Sequence, residues 1–340
     1  MREIRVGIAG FDHVYFAGSA LTTVARDPHA TLTMLAHRDP RYVAPLAADV
    51  GARFSPVLTD VLDAEIDLLV TACSTRDNAA LVSEAARRGI AVVSVKPFAM
   101  DRSSADDVVA AVDESGTLFI GADAGWRLQP TMQRLKQWVE DDTIGRIRSA
   151  MGVFRAPLPD VWWLSPRETG RSWWLDPDCV FGGGWLDHAI YFVDLLRWLG
   201  NDEFAEVRGR VANLRHPTEP LEDYGDAQLR MAGGGVVHLE CGWTVASESE
   251  LLRELHIVGA NGQAVWTTRG SLGVGTLDVT RQPSGEAGWA TQDLSGSPVV
   301  SLVEHAIVVM RGEAQAVASV HDARASLEVC LAFYERAERI

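Results

Sequence analysis

The chain has 340 residues, of which 47% are hydrophobic and 23% charged, with a formal net charge of -15. This composition is globular and too long for one ordinary core, so two domains are expected, over 1–123 and 124–340. The acidic balance argues against nucleic acid or an anionic membrane as partner. The four cysteines form no CxxC pair that would suggest zinc or a disulfide framework, and no metal site is expected.

In chain order, 4–9 reads as an apolar strand, 14–26 as a helix, 31–36 as a second strand and 68–72 as a buried one. A helix over 79–88 ends at Gly89, the usual residue just past a helix C-terminus. A strand over 91–95, a helix over 105–114 and a strand over 118–122 follow. Such alternation implies a parallel, doubly wound sheet, which takes ligands beyond the carboxyl ends of its strands. After Asp123 the rhythm changes to a helix over 130–140, a Trp- and Pro-rich stretch over 157–180 and a helix over about 186–199. Strand-like runs then cover 206–214, 227–231, 236–243, 251–258 and 263–268, and helices near 302–311 and 322–336 close the chain. These runs predict a mainly antiparallel sheet with one face against helices. No apolar run reaches the roughly 18 residues a spanning helix needs, and no signal peptide precedes the first strand. A cytoplasmic protein is therefore expected.

Four stretches carry the chemistry. In "VGIAGFDH", Gly10 opens a G-x-G-x-x-G-like turn, with Asp12 and Tyr15 in place of the later glycines. Asp12 is expected to N-cap the next helix, where its carboxylate competes with phosphate for the positive helix end. "SVKPFA" ends a buried strand on Lys96 and so puts an ammonium at the sheet's carboxyl edge. "GWRLQPTMQRLKQWVEDDTIGRI" spans 125–147 and contains Arg127. In "GGGWLDHAIYFVDLLRWLG", Asp187, Tyr191, Asp194 and Trp198 recur at helical spacing after a glycine run that reads as flexible.

In order and spacing these stretches resemble the Gfo/Idh/MocA family of nicotinamide-dependent oxidoreductases. The resemblance implies an N-terminal Rossmann domain, a C-terminal α/β domain with a large, mainly antiparallel open sheet, and a homodimer or homotetramer formed through that sheet. It places the cofactor on Gly10, Phe11, Asp12, His13, His37, Arg38, Ser74, Thr75, Asn78 and Lys96. His37 stands where the family often has an acid for the adenine ribose. With Arg38 beside it, this leans towards NADP over NAD. Ser74 and Thr75 replace a proline-asparagine pair, Asn78 replaces a histidine, and all three can hydrogen-bond a cofactor. Val95 replaces the glutamate of a Glu-Lys-Pro motif.

On the glycine-led helix, Tyr191 takes the place of the family's histidine, as in the glucose-fructose oxidoreductase and dihydrodiol dehydrogenase branch. The catalytic candidates are Lys96, Asp187 and Tyr191, with His188 as runner-up base. Asp194 is expected to be structural, paired with Arg197 or a backbone donor. Five tryptophans between Trp162 and Trp185, with Arg167 and Arg171, suit the entrance of a sugar pocket. The substrate-binding candidates are Arg127, Arg171, Trp173 and Trp174. Tyr191 would take a hydroxyl proton as hydride passes to the nicotinamide of a sugar, polyol or cyclic alcohol dehydrogenase, and Lys96 would supply positive charge. Two other readings use the same fold: glycoside cleavage through transient oxidation, and a non-catalytic ligand sensor.

Overall fold

The computed structural model describes residues 3–159, 172–270, 274–281, 288–294 and 300–340. The chain clusters into two units. The first comprises Met1–Gly125, Val161–Phe181 and Val300–Leu327, and the second Trp126–Asp160, Gly182–Val299 and Glu328–Ile340. Neither unit is contiguous in sequence.

The first unit is built on β1 (Ile4–Ala9), α1 (Val14–Arg26), β2 (Ala30–Ala36), α2 (Pro40–Asp49), β3 (Arg53–Ser55), β4 (Leu68–Thr71), α3 (Thr75–Arg87), β5 (Ala91–Ser94), α4 (Arg102–Ser115) and β6 (Phe119–Gly121). The strands lie all-parallel in the order β3-β2-β1-β4-β5-β6. Strands such as "LLVT" in β4 are buried throughout, as a sheet covered on both faces requires. The order reverses between β1 and β4, so the turns that leave these two strands lie side by side. The α2–β3 segment was not among the expected elements. Pro45 sits inside α2 and β3 has three residues, so neither carries a strong periodic signal.

The second unit holds α5 (Pro130–Glu140), β7 (Ile147–Arg155), α6 (Gly184–Gly200), β8 (Phe204–Ala212), β9 (Tyr224–Met231), β10 (Val236–Gly242), β11 (Leu252–Gly259), β12 (Gly262–Arg269), β13 (Val274–Arg281) and β14 (Ala290–Asp293). Helix α7 (Leu302–Met310) belongs to the first unit, α8 (Val320–Tyr334) is divided between the two, and β15 (Glu338–Arg339) ends the chain. The sheet order is β14-β13-β12-β11-β7-β10-β9-β8-β15, antiparallel except for β10 on β7 and β15 on β8. The architecture is thus α/β, with a parallel Rossmann sheet and a mixed, mainly antiparallel one.

Strand β7 sits at the centre of this sheet but was not expected as a strand. Its inward positions include Ala150 and Gly152, which carry little strand signal. Gly152 is needed there, because a Cβ would come within 2.8 Å of Leu239 and 3.1 Å of the Phe192 ring on α6.

Candidate active site

The turn after β1 supports a dinucleotide in part. Gly10 has φ +83°, and a Cβ there would lie 2.4 Å from the Cys73 backbone nitrogen. Helix α1 starts after His13 with no side-chain cap and no acid in its first turn. A helix N-terminus of this kind, with no acid in its first turn, favours an anion. Asp12 does not cap α1, contrary to expectation. Its Oδ2 accepts instead from the Ser74 N–H at 3.1 Å, which ties the β1 and β4 turns together. Burial pushes the Asp12 carboxyl up from its ordinary range, against the pull of His37.

His37 is buried, and its Nδ1 accepts from the Phe11 N–H at 3.2 Å. Burial holds its pKa down, so it meets the loop as a neutral acceptor. Arg38 is half-exposed and pairs with Asp77 at 2.6 Å, and Asp77 also accepts from Ser74 Oγ. Thr75 Oγ1 is buried without a hydrogen-bond partner in the turn after β4, a group a bound dinucleotide can satisfy. Asn78, expected on the cofactor, has its amide engaged within the protein. Its Nδ2 donates to Ser94 Oγ and to the Phe98 carbonyl, each at 2.9 Å, and its Oδ1 faces the Cys73 thiol at 3.6 Å.

Lys96 is buried after β5, and the Lys96–Pro97 peptide is cis. Its Nζ lies 5.5 Å from the Trp174 ring centroid. Trp173 and Trp174 stack at 4.1 Å, His13 meets Trp174 edge-on at 4.3 Å, and Trp173 Nε1 donates to the Asp12 carbonyl at 3.1 Å. The tryptophans expected on substrate therefore pack on the phosphate turn. Arg167, Arg171, Trp162 and Trp163 lie outside the described residues.

In the second unit, α6 follows glycines that are required by close packing rather than by flexibility. A Cβ on Gly183 would meet the Glu222 carbonyl at 2.0 Å, and one on Gly182 the Tyr334 ring at 2.3 Å. Glu222 Oε1 accepts from the Gly183 N–H at 2.8 Å, the Trp185 N–H at 3.3 Å and Tyr334 Oη at 2.6 Å. Full burial raises the Glu222 carboxyl to about 7, despite these bonds. A carboxyl whose pKa rises on folding stabilises the fold below its unfolded value and loses that contribution as pH climbs through the folded one. We expect stability to fall by about 3 kcal/mol between pH 5 and 8 from this group. Urea midpoints across that range should flatten in Glu222→Gln, and an equal slope in both proteins would refute the assignment.

Asp187 is buried, and its Oδ2 accepts from Trp243 Nε1 at 3.0 Å and lies 3.6 Å from His188 Nδ1. The His188 ring stacks on Phe154 of β7 at 4.0 Å and 13°. Tyr191, one turn after Asp187, stacks on Trp126 at 5.2 Å. The structure thus brings Asp187 and His188 together, with Tyr191 on the next turn. Arg127, expected on substrate, is paired with Asp194. Its Nε and Nη2 donate to Asp194 at 2.8 and 2.5 Å, and the two side chains are only 4% and 1% exposed. Arg197 pairs with Glu203.

Sequence reasoning missed Trp126, Phe154 and Trp243, which position these side chains, and Arg253 of β11, which lies over Phe154. Arg253 did carry a signal, as a cation at an inward position of an alternating strand.

A doubly wound dinucleotide-type unit joined to a unit with an open mixed sheet defines the class as a two-unit, Rossmann-containing protein. The family models sharpen this. One described as "Oxidoreductase family, NAD-binding Rossmann fold" matches residues 4–122, and "GFO/IDH/MocA C-terminal domain" matches residues 132–265. The chain belongs to the Gfo/Idh/MocA oxidoreductase family. A curated relative, inositol 2-dehydrogenase 3 of Saccharopolyspora erythraea, is 26% identical over 229 residues, covering 67% of this chain and 61% of that protein. The chain thus matches about three-fifths of that relative's length.

Among solved structures, the WlbA dehydrogenase from Bordetella pertussis, in complex with NADH and UDP-GlcNAcA, is 24% identical with a TM-score of 0.78, over 99% of this chain and 97% of that one. The aldose-aldose oxidoreductase from Caulobacter crescentus, complexed with glycerol, gives a TM-score of 0.81 at 17% identity, over 99% and 98%. Both likenesses establish the fold.

Proposed function

We propose that the protein oxidises or reduces a sugar, polyol or related cyclic alcohol with a nicotinamide cofactor. The carrying observation is the α6 cluster, where buried Asp187 accepts from Trp243, lies 3.6 Å from His188 Nδ1 and precedes Tyr191 by one helical turn. The names of the relatives, an inositol dehydrogenase and a dehydrogenase holding NADH with UDP-GlcNAcA, support the substrate class.

When bound, the dinucleotide supplies hydride exchange. Gly10 and the first turn of α1 would hold its pyrophosphate. Lys96 would lend positive charge to the reacting hydroxyl, Asp187 would orient the sugar, and Tyr191 would accept the hydroxyl proton. The 3.6 Å approach of Asp187 to His188 Nδ1 favours a second reading, in which the carboxylate fixes the imidazole tautomer and His188 Nε2 accepts the proton.

Arg38 bears on the choice of dinucleotide. A 2′-phosphate would have to draw Arg38 from Asp77 and sit beside that carboxylate. We therefore assign NAD(H), in place of the NADP preference expected from Arg38 alone. Fluorescence titration should show NADH bound more tightly than NADPH, and Asp77→Asn should improve NADPH about tenfold, or ~1.4 kcal/mol. Turnover with a panel of cyclic polyols and sugars completes the test. Binding of neither dinucleotide below millimolar would refute the redox reading, and binding without turnover would favour the sensor. A homo-oligomer through the uncovered sheet face is proposed as well. Met151, Val236 and Val258 are exposed there on adjoining central strands.

A further inference from the structure

Arg253 is a half-buried cation that the oxidoreductase reading does not use. It lies on β11 in the inward register shared with Leu255 and Ile257, both fully buried in the core. Residues directly opposite on paired strands share a face of the sheet. Arg253 stands opposite Phe154 of β7 on one side and Thr268 of β12 on the other. Its guanidinium carbon is 4.8 Å from the Phe154 ring centroid, and that same ring stacks on His188. Trp266, two residues along β12 on the same face, meets Trp126 edge-on, and Trp126 stacks on Tyr191. Arg253 is therefore one aromatic ring away from His188.

Two features of this spot lack a structural purpose. Arg253 makes no ion pair and no side-chain hydrogen bond among the described residues. Glu248, in the turn Glu248–Glu250, acts on it only through space. Thr268 is buried, and its Oγ1 has no hydrogen-bond partner. Taking a guanidinium out of water without a counter-charge is unfavourable, and the Phe154 ring offsets only part of that. A buried hydroxyl without a partner adds to the penalty. A five-donor planar cation and a hydroxyl, side by side and unsatisfied, match a carboxylate or phosphate that accepts from both.

We propose that Arg253 and Thr268 form a subsite for an anionic group on the substrate, so that the ring presented to the α6 cluster belongs to an acidic sugar. The proposal rests on the oxidoreductase reading for the sugar, but not for the anion. Redox chemistry alone does not require a cation at this place. The carboxylate of a sugar acid and the phosphate of a sugar phosphate offer the same acceptors, and separate probes distinguish them.

The test is calorimetric titration of the full chain with glucuronate, glucose 6-phosphate and glucose, with and without NADH. One acidic sugar should bind at least about tenfold more tightly than glucose, which names the anion. Arg253→Met should erase that preference, leave glucose affinity unchanged, and keep or raise the urea midpoint, because an apolar chain of similar length replaces an uncompensated, half-buried charge. A purely structural arginine would instead lower the midpoint. Thr268→Val should weaken only the acidic sugar, by several-fold, and it keeps the test open should Arg253→Met fold poorly. Equal affinity of all three sugars in the wild type would overturn the subsite, as would a loss in Arg253→Met shared by glucose. Failure to bind NADH while the acidic sugar still binds through Arg253 would overturn the redox reading and leave the subsite standing.

Discussion

Tyr191→Phe is expected to lower kcat by about 10²–10⁴-fold, the range lost when a positioned proton acceptor is removed. The substitution deletes one oxygen and keeps the ring that stacks on Trp126 at 5.2 Å. Packing should therefore survive, and NADH affinity should stay within about twofold of the wild type, well under the ~1.4 kcal/mol of a tenfold change. His188→Gln is the paired control. If Tyr191 is the acceptor, His188→Gln should cost about tenfold or less, through looser holding of Asp187. If the reverse ranking is measured, the Asp187–His188 reading replaces it. The pH profile gives an independent readout, since an imidazole acceptor titrates near 6.5 and a phenol near 10 before their surroundings act on them. An acceptor variant should also lose the low-pH limb of the kcat profile, where the acceptor is protonated, which a merely structural variant would keep.

What could be read from the sequence follows from which signals are local. "VGIAGF" and "LLV" are uninterrupted apolar runs, and only a strand covered on both faces needs such runs, so β1 and β4 were legible. Helix α4 was expected over 105–114; the structure starts it at Arg102, capped by Asp101, whose side chain accepts from the Ser104 N–H. Strand β7 was illegible because its inward Gly152 serves Phe192, a residue on α6 far along the chain. The glycine run before α6 was visible, but its cause was not. Three successive glycines look mobile until the Glu222 carbonyl and the Tyr334 ring are placed against them. Among the charged residues, the spacing on α6 showed that Asp187 and Tyr191 share a face. It could not show that Asp194 turns to Arg127, which lies 67 residues away, because i to i+3 geometry makes Arg197 the nearer choice on paper. The Arg38–Asp77 pair was hidden for the same reason, since Asp77 comes from a different strand–helix turn.

Arg127 and Asp194 then carry the largest stability effect expected in the protein. Their Nε–Oδ2 and Nη2–Oδ1 bonds form a two-pronged pair with almost no solvent access. Arg127→Met leaves the Asp194 carboxylate buried beside a thioether, and such half-broken pairs cost about 3–5 kcal/mol. Asp194→Leu strands the guanidinium in the same way. The double variant Arg127→Met with Asp194→Leu removes both charges and fills the space with apolar chains, so it should recover most of the loss. Urea unfolding of the four proteins measures the cycle. The pair's role is structural if the double variant is more stable than either single one and its sugar KM matches the wild type. Stability left intact in Arg127→Met, with a KM that rises by tenfold or about 1.4 kcal/mol, would return Arg127 to the substrate. The burial of both side chains favours the first outcome, since a guanidinium already spanned by a carboxylate has its fork of donors committed before any sugar arrives.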